Sequence, residues 1–380
     1  MEEPKIRFKG FQEEWKKKNI GSSCSISIGE FVIKTKQRAN APYPVYNGGS
    51  TNTGYYDQYN QIGPKVIVSA RGANAGFVNK EEGKYWAGNS CYSIGTKDET
   101  NWLFLYYAFK FYQDKYIKAQ QAANIPSVSK SDIQKTILLF PSINEQQSIA
   151  SYFQHLDSLI QSTTKKIESL KQVKVASLQS MFPQEGETTP RVRFKGFEGE
   201  WEETLLGTIF LERCEYRPNA EMLSVTMNQG VIKASDNGRF DNSNSDKSKY
   251  KLVKVDDIAY NSMRMWQGAC GCSKYEGIVS PAYTVIVPKE DICPSFFSYM
   301  FKTNGMLKVF RLNSQGLTSD TWNLKYPAFS KLSIIYPKVI AEQRAIASYF
   351  TNLDRQITLH TQRLEKLKQI KAACLDNMFV

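Results

Sequence analysis

Two stretches of the chain bring apolar side chains back at helical spacing. In the first, Phe153, Ile160 and Ile167 stand seven residues apart, Met181 continues the series, and Leu156 and Leu170 are interleaved. In the second, Phe350, Ile357, Leu364 and Met378 repeat the series with Leu353 and Leu367. A stripe of this kind is the a/d seam of a coiled coil. Thr163, Lys174 and Ser177 interrupt the first stripe, and His360, Lys371 and Cys374 the second. Neither stretch contains Gly or Pro, whereas Pro141 and Pro337 precede them and Pro183 closes the first. The pattern predicts two helices of about 50–55 Å each, at ~1.5 Å per residue. An apolar stripe needs a cover, and a second copy in the same chain supplies it. Ordinary core helices of two unrelated domains would give similar stripes.

Repetition separates the two explanations. EQQSIASYF (145–153) returns as EQRAIASYF (342–350), and residues 143–182 align without a gap to residues 340–379, with about half the positions identical. At the other end of each half, IRFKGFQEEW (6–15) returns as VRFKGFEGEW (192–201). The chain is therefore one unit written twice: a short entry segment, a body, and a long helix. The expected parts are a first body with its entry segment over 1–142, a helix over 143–183, a linker, entry segment and second body over 184–338, and a helix over 339–380. Like units in closed pairs are usually related by a two-fold axis. The helices are then expected to run antiparallel, with the bodies at opposite ends of a rigid rod.

The bodies read as α/β. In the first, PKVIVSARGANAGFV (64–78) predicts a strand, a loop bearing Arg71, and a second strand, followed by GNSCYSI (88–94). In the second, DDIAYNSMRMWQGACGC (256–272) and SPAYTVI (280–286) occupy comparable places, which makes Arg264 the counterpart of Arg71. The apolar helix WLFLYYAFKFY (102–112) has its counterpart in SFFSYMFKTNGML (295–307), and NIPSVSKSDIQKTILLFP (124–141) parallels LTSDTWNLKYPAFSKLSIIYP (317–337). The framework is shared while the loops differ. Loops on a rigid scaffold are where recognition sits, and base-edge reading uses Arg on guanine and Asn or Gln on adenine. The candidate DNA contacts in the first body are Asn47, Ser50, Thr51, Arg71, Asn74, Asn89 and Ser90. In the second they are Thr226, Asn228, Gln229, Arg264, Trp266, Gln267, Tyr283, Ser319 and Thr321. A solvated turn explains any one of these as well, and a structural ion pair would explain the two arginines.

Bulk properties agree. At 380 residues the chain is too long for one ordinary core. Its 49 Lys and Arg against 37 Asp and Glu give a net charge of +12, which favours a polyanion as partner. The seven cysteines are scattered, consistent with a reducing compartment. MEEPKIRFKG lacks the apolar stretch of a secretory signal and no run is long enough to cross a bilayer, so the expectation is a cytoplasmic protein with no membrane contact. No GxxxxGK[ST] stretch or glycine-rich dinucleotide fingerprint occurs. The two histidines, His155 and His360, fall inside the helices, and Cys270-Gly271-Cys272 has no second pair at metal-ligand spacing. Asp57 with Glu82 and Lys84 imitates a metal-dependent nuclease site only loosely. The expectation is no catalytic residue and no metal.

PSINEQQSIASYFQHLD (141–157) and PKVIAEQRAIASYFTNLD (337–354), together with the RFKGF entry segments and SARGANAG, resemble the specificity subunit of Type I restriction-modification enzymes. The resemblance covers essentially the whole chain. It implies an α/β protein in which two similar target recognition domains are joined by two long antiparallel helices forming a coiled coil, a pseudo-two-fold internal repeat. Each domain would read one half of a split target in double-stranded DNA. The helix pair, seamed by Phe153, Leu156, Ile160, Ile167, Leu170, Phe350, Leu353, Ile357, Leu364 and Leu367, would fix the gap. The resemblance further implies a chain without catalytic activity that docks two modification subunits, which bind S-adenosylmethionine and methylate adenine. Motor-nuclease subunits using ATP and Mg2+ would join the complex, and this chain would bind no cofactor itself. The alternative is a coiled-coil adaptor whose variable bodies bind proteins.

Overall fold

The structure is a computed structural model that describes residues 3–97, 99–120, 126–237 and 246–380. The first two residues of the NIPSVSKS stretch, 124–125, lie outside the described residues. The chain divides into two compact units, Met1–Thr164 with Gln362–Val380, and Lys165–Thr361. Each long helix, Ile143–Ser180 and Ile340–Met378, contributes one part to each unit.

In the first unit, Cys24–Ile28, Cys91–Thr96, Lys65–Ser69 and Val78–Glu81 form a four-stranded antiparallel sheet in that order. A second sheet runs Gly54–Tyr56, Tyr43–Tyr46, Lys84–Ala87, Gln61–Ile62, with one parallel pair, Val45 opposite Trp86. Strand Lys65–Ser69 is buried on both faces, which its β-branched run permits. Because side chains alternate, Val66 and Val68 enter the main core with Phe104, while Ile67 packs with Tyr85 and Cys91 on the other side. Helix Trp102–Gln120 is covered nearly all round at Phe104–Phe109, as its unbroken apolar run requires.

The second unit repeats the first of these sheets and has two-stranded pairs, Leu223–Thr226 with Gly230–Lys233 and Lys251–Val253 with Gly277–Val279, in place of the second. Phe210–Glu212, Tyr283–Pro288, Ile258–Asn261 and Cys270–Cys272 form a four-stranded antiparallel sheet in the corresponding order. Ile258 and Tyr260 face the main core, and Ala259 faces a smaller one with Val225, Val231 and Val285. One expected counterpart differs. The apolar stretch 295–307 is two helices, Pro294–Met300 and Asn304–Asn313. Thr303 is extended between them, donating its hydroxyl to the Met300 carbonyl (2.8 Å) and accepting from the Met306 amide (3.4 Å), so it ends one helix and caps the next.

The repeated Glu-Gln pair at the start of each long helix explains why the same letters recur. Glu145 and Glu342 have no exposure to water. Arg7 grips Glu145 with Nε and Nη2 at 2.7 and 2.8 Å, and Arg193 grips Glu342 with both at 2.7 Å. The entry segment is thereby fastened to the helix by a bidentate pair. The neighbouring glutamine works on the body. Gln146 accepts from the Asn101 amide (3.0 Å) and donates to the Pro141 carbonyl (2.9 Å); Gln343 accepts from Cys293 (2.9 Å) and donates to Pro337 (2.8 Å). Each glutamine thus supplies an acceptor where the apolar helix of its unit begins.

Contacts within each unit make the long helices antiparallel. In the first unit Asp157 meets Lys371 and Tyr152 meets Cys374; in the second Lys174 meets Asp354 and Ser177 meets Tyr349. Of the seam positions, Phe153, Leu156, Ile167, Leu170, Phe350 and Leu353 are buried, and Ile160, Ile357, Leu364 and Leu367 are half-buried. Five of the six positions read as interruptions belong to the seam, His360 being the exception. Thr163 is buried, and Lys174, Ser177, Lys371 and Cys374 all have partners on the facing helix. Phe153 and Phe350 do more than line the seam, packing into the domain cores against Tyr107 and Phe379, and against Tyr299 and Phe182.

Glu342→Ala should leave the Arg193 guanidinium without its carboxylate and lower stability by about 3 kcal/mol, measured by urea denaturation. A loss under about 0.5 kcal/mol would mean that the pair merely decorates the joint.

Candidate nucleic-acid interface

In the first unit, the chain leaves strand Lys65–Ser69 through a junction that gathers three loops. The Ala70 amide donates to the Ser90 carbonyl (2.8 Å), the Ser69 hydroxyl donates to the Gly49 carbonyl (2.8 Å), and the Gly72 amide donates to Pro126 (3.0 Å). Gly48 has φ +75°, and a Cβ there would lie 2.9 Å from the Arg71 carbonyl, so the 47–53 loop and the arginine loop touch through backbone. The predicted residues Asn47, Ser50, Thr51, Arg71, Asn74, Asn89 and Ser90 are therefore brought onto one rim. They are not equivalent there. Asn47 is half-buried and its Oδ1 accepts from the Ser90 amide (3.1 Å), which makes it a brace between loops. Thr51 donates back to Asn52 (3.3 Å). Asn89 and Ser90 are half-buried, whereas Ser50, Arg71 and Asn74 are exposed.

The second unit builds its rim from other loops. Arg264 precedes the short 3-10 turn Met265–Gln267, which Met265 anchors in the core and Gly268 closes at φ +80°. Trp266 meets Trp322 edge-on at 5.4 Å, and the Leu324 amide donates to the Ser262 carbonyl (2.8 Å). These contacts join the loop carrying Ser319 and Thr321, both exposed, to the arginine loop that also carries Gln267. Beside them lies an open cavity of ≈ 500 Å³ lined by Met263, Thr284, Thr321 and Asn323 among others. The Thr226–Gly230 turn is closed by the Thr226 hydroxyl, which accepts from the Gln229 amide (3.0 Å), and Asn228 and Gln229 are left exposed. Lys302 donates to the Met227 carbonyl (3.0 Å) and reaches the Gly268 turn, tying this hairpin to the others. A Cβ on Gly271 would lie 2.6 Å from Gly230 Cα, which accounts for the Cys-Gly-Cys spelling. Tyr283 is half-buried against the small core, so it supports the rim rather than crowning it.

Arg71 and Arg264 stand in corresponding loops but one position out of register: Ala70 donates to Ser90 as Ser262 donates to Ala282, so Arg71 is one residue and Arg264 two residues beyond the matched pair. Among the described residues, neither guanidinium has a hydrogen bond, an ion pair or a ring contact. The ion-pair explanation of these arginines therefore finds no partner among the described residues.

A duplicated polar junction lies where each body meets the helix pair. In the first unit Asp157 accepts from the Tyr107 hydroxyl (2.8 Å) and pairs with Lys371. In the second, Asp354 accepts from Tyr299 (2.9 Å) and pairs with Lys174 (2.5 Å). A further lysine follows each tyrosine by three residues. Lys110 donates to Gln113 (2.8 Å) and lies over the Phe77 ring; burial, reinforced by nearby Lys371, pushes its ammonium down to about 8. Burial also lowers Lys302. Sequence reading missed this junction, although YAFK (107–110) and YMFK (299–302) repeat, as do the aspartates and lysines of the helices.

The imitation of a nuclease site does not assemble: Glu82 pairs with Lys80 (3.5 Å), and Lys84 lies over the Tyr59 ring. Among the described residues no three His, Cys, Asp or Glu side chains converge as a metal site, and no helix is long and apolar enough to cross a membrane. Cys270 and Cys272 are free thiols pushed up to about 11 and about 12, chiefly by burial.

Comparison with known proteins bears on what these rims do. The family model of the Type I restriction modification DNA specificity domain matches residues 12–172 and again residues 198–369. The chain is 21% identical over 374 residues to a Mycoplasma genitalium protein assigned to the type I specificity subunits, covering 96% of this chain and 94% of that one. It is 25% identical over 166 residues to the specificity subunit of the type I restriction enzyme EcoprrI of Escherichia coli, covering 42% of this chain and 40% of that one. In fold it is similar to the crystal structure of a type I restriction-modification S subunit from M. genitalium, with a TM-score of 0.69 at 19% identity over 100% of this chain and 99% of that one.

Two outcomes are expected of the junction. A double-mutant cycle of Lys174→Met and Asp354→Asn should give a coupling of about 1 kcal/mol in urea denaturation, and Lys371→Met with Asp157→Asn a similar value; no coupling would reduce both to surface contacts. Lys110 binds its proton more weakly folded than unfolded, so the unfolded chain holds more protons above about pH 8 and stability rises from there toward pH ~10. Compared with Lys110→Met, the unaltered protein should gain on the order of 2 kcal/mol across that window. A flat difference would show that the lysine is not desolvated.

Proposed function

The chain belongs to the Type I restriction-modification DNA specificity family, and from that premise we propose that each rim reads one half of a split duplex target through its arginine. The observation that carries this reading is a guanidinium without a partner among the described residues in each of two corresponding loops of a duplicated frame. An arginine held in a loop without a carboxylate is ready to make a bidentate contact to the O6 and N7 of guanine. Exposed Asn74 in one rim, and Asn228 and Gln229 in the other, offer the amide pairs that suit adenine. The residues flanking the arginines differ between the units, so the two half-sites differ.

In this reading the paired helices set the length of the unread spacer, on the scale of a helical turn of about 34 Å. Contacts to phosphate position the chain and contacts to base edges specify the sequence. The chain itself is non-catalytic. Its helices and entry segments dock two modification subunits that carry S-adenosylmethionine and methylate adenine, and motor-nuclease subunits bring ATP and Mg2+. The absence from the sequence of a glycine-rich phosphate or methyl-donor motif supports that division of labour. The alternative of a protein-binding adaptor has no comparable support.

Long-read mapping of methylated adenines, in cells making this chain with its modification subunits, should return a two-part motif with an unread gap. Arg71→Ala should relax one half of it by about 1–3 kcal/mol and leave the other half unchanged, and Arg264→Ala should do the converse. A contiguous motif, or equal losses in both halves, would defeat the reading.

A further inference from the structure

We propose that Lys34, Lys36 and Arg38 form a phosphate clamp on the duplex beside the first half-site, and that the second unit has no equivalent in the matching segment. This rests on the reading that the chain binds DNA, and adds that the two units grip the backbone unequally.

The clamp lies in the segment that joins strand Cys24–Ile28 to strand Tyr43–Tyr46. That segment is held firmly. The Glu30 amide donates to the Ala87 carbonyl (2.9 Å), and the Arg38 amide to Tyr55 (3.1 Å). Tyr56 Oη accepts from the Ile33 amide (2.6 Å) and donates to the Ile33 carbonyl (2.8 Å). Val32 is buried with Val45 and Tyr56. Gln37 lies so close to Gly54 that a Cβ there would fall 2.4 Å from its Oε1. Gly54 follows directly on the loop of Asn47, Ser50 and Thr51, so the segment borders the first rim. From this backbone Lys34, Lys36 and Arg38 project at alternate positions of a short 3-10 turn and its exit. All three are exposed, and among the described residues none has a side-chain hydrogen bond, ion pair or ring contact. The one acid in the segment is Glu30.

The matching segment of the second unit has been neutralised. It follows strand Phe210–Glu212 and carries Arg213 and Arg217. Arg213 grips Asp257 at 2.6 and 2.8 Å and Glu215 at 2.5 Å, and Arg217 pairs with Glu276. Its neighbours follow suit, Lys251 with Glu212 (3.2 Å) and Lys233 with Glu221 (3.1 Å). A cation already answered by a carboxylate displaces little counterion from a duplex, whereas a free one displaces nearly a whole ion. Lysines on flexible stems favour phosphate over base edges, because a point charge carries no donor pattern to match.

The test uses the chain assembled with its modification subunits, on two duplexes: the target found by methylation mapping, and one of equal length with the first half-site scrambled. Replacing Lys34, Lys36 and Arg38 together by Ala should reduce the slope of log K against log salt by about 2–3, at ~0.9 per phosphate, on both duplexes alike. Replacing all three by Gln should give the same change, which ties the effect to charge. Arg217→Ala should leave the slope as it was. An unchanged slope in the triple variants, a loss confined to the intact first half-site, or an equal fall with Arg217→Ala would each overturn the clamp. If the unaltered complex binds neither duplex in a salt-dependent manner, the reading of the chain as a DNA-binding subunit fails as well.

Discussion

A carboxylate sealed from water must be answered by a cation, and the frame of each unit is organised around one such answer. Glu145 and Glu342 sit in the first turn of the long helices, where the helix N-terminus already favours negative charge. Arg7 and Arg193 reach them from the entry segments with forked geometry. Such a pair adds little net stability compared with a well-packed apolar contact, but it fixes direction, since two parallel hydrogen bonds leave one orientation. The adjacent Gln146 and Gln343 then set the start of each apolar helix relative to the same turn. Entry segment, long helix and recognition body are thus aligned by two consecutive side chains.

From that joint outward, the frame is constant and the surface is not. The central strands Lys65–Ser69 and Ile258–Asn261 send alternate side chains into a large and a small core, which holds the following loop from both sides. The loops themselves are tied by backbone hydrogen bonds and close glycine contacts, at Gly48 in one unit and Gly271 in the other. On the rims Asn47, Thr226, Trp266 and Tyr283 brace the loops, whereas Arg71 and Arg264 have no side-chain partner among the described residues. A scaffold that demands little of such residues can change what it reads without being rebuilt.

Much of this was legible in the sequence because duplication makes a single chain its own comparison. The helices, the entry segments and the correspondence of the two arginine loops all followed from matching one half with the other, although Arg71 and Arg264 themselves lie one position out of register. What escaped was whatever depends on a partner distant in the chain. Lys174 and Lys371 break an apolar stripe when read in one dimension, and their aspartates stand on the facing helix. Thr303 reads as part of an apolar helix, but its hydroxyl satisfies both the end of one helix and the start of the next. Tyr283 lies among rim residues in sequence and faces a small core in space. The basic run Lys34–Arg38 does not stand out in the sequence, because lysine spacing alone does not reveal which cations are already paired.

The two units differ in how their chain is spent. One is a single uninterrupted span, Lys165–Thr361, whereas the other takes Met1–Thr164 and waits for Gln362–Val380. That final span supplies Phe379 against Phe153, Lys371 against Asp157, and the Asn377 carbonyl that receives the Ile6 amide. On the ribosome, the unit begun before the other is therefore finished after it, and the intervening unit can close while its elder still lacks a wall. For that interval, part of the earlier core stands open to whatever apolar surface is nearest.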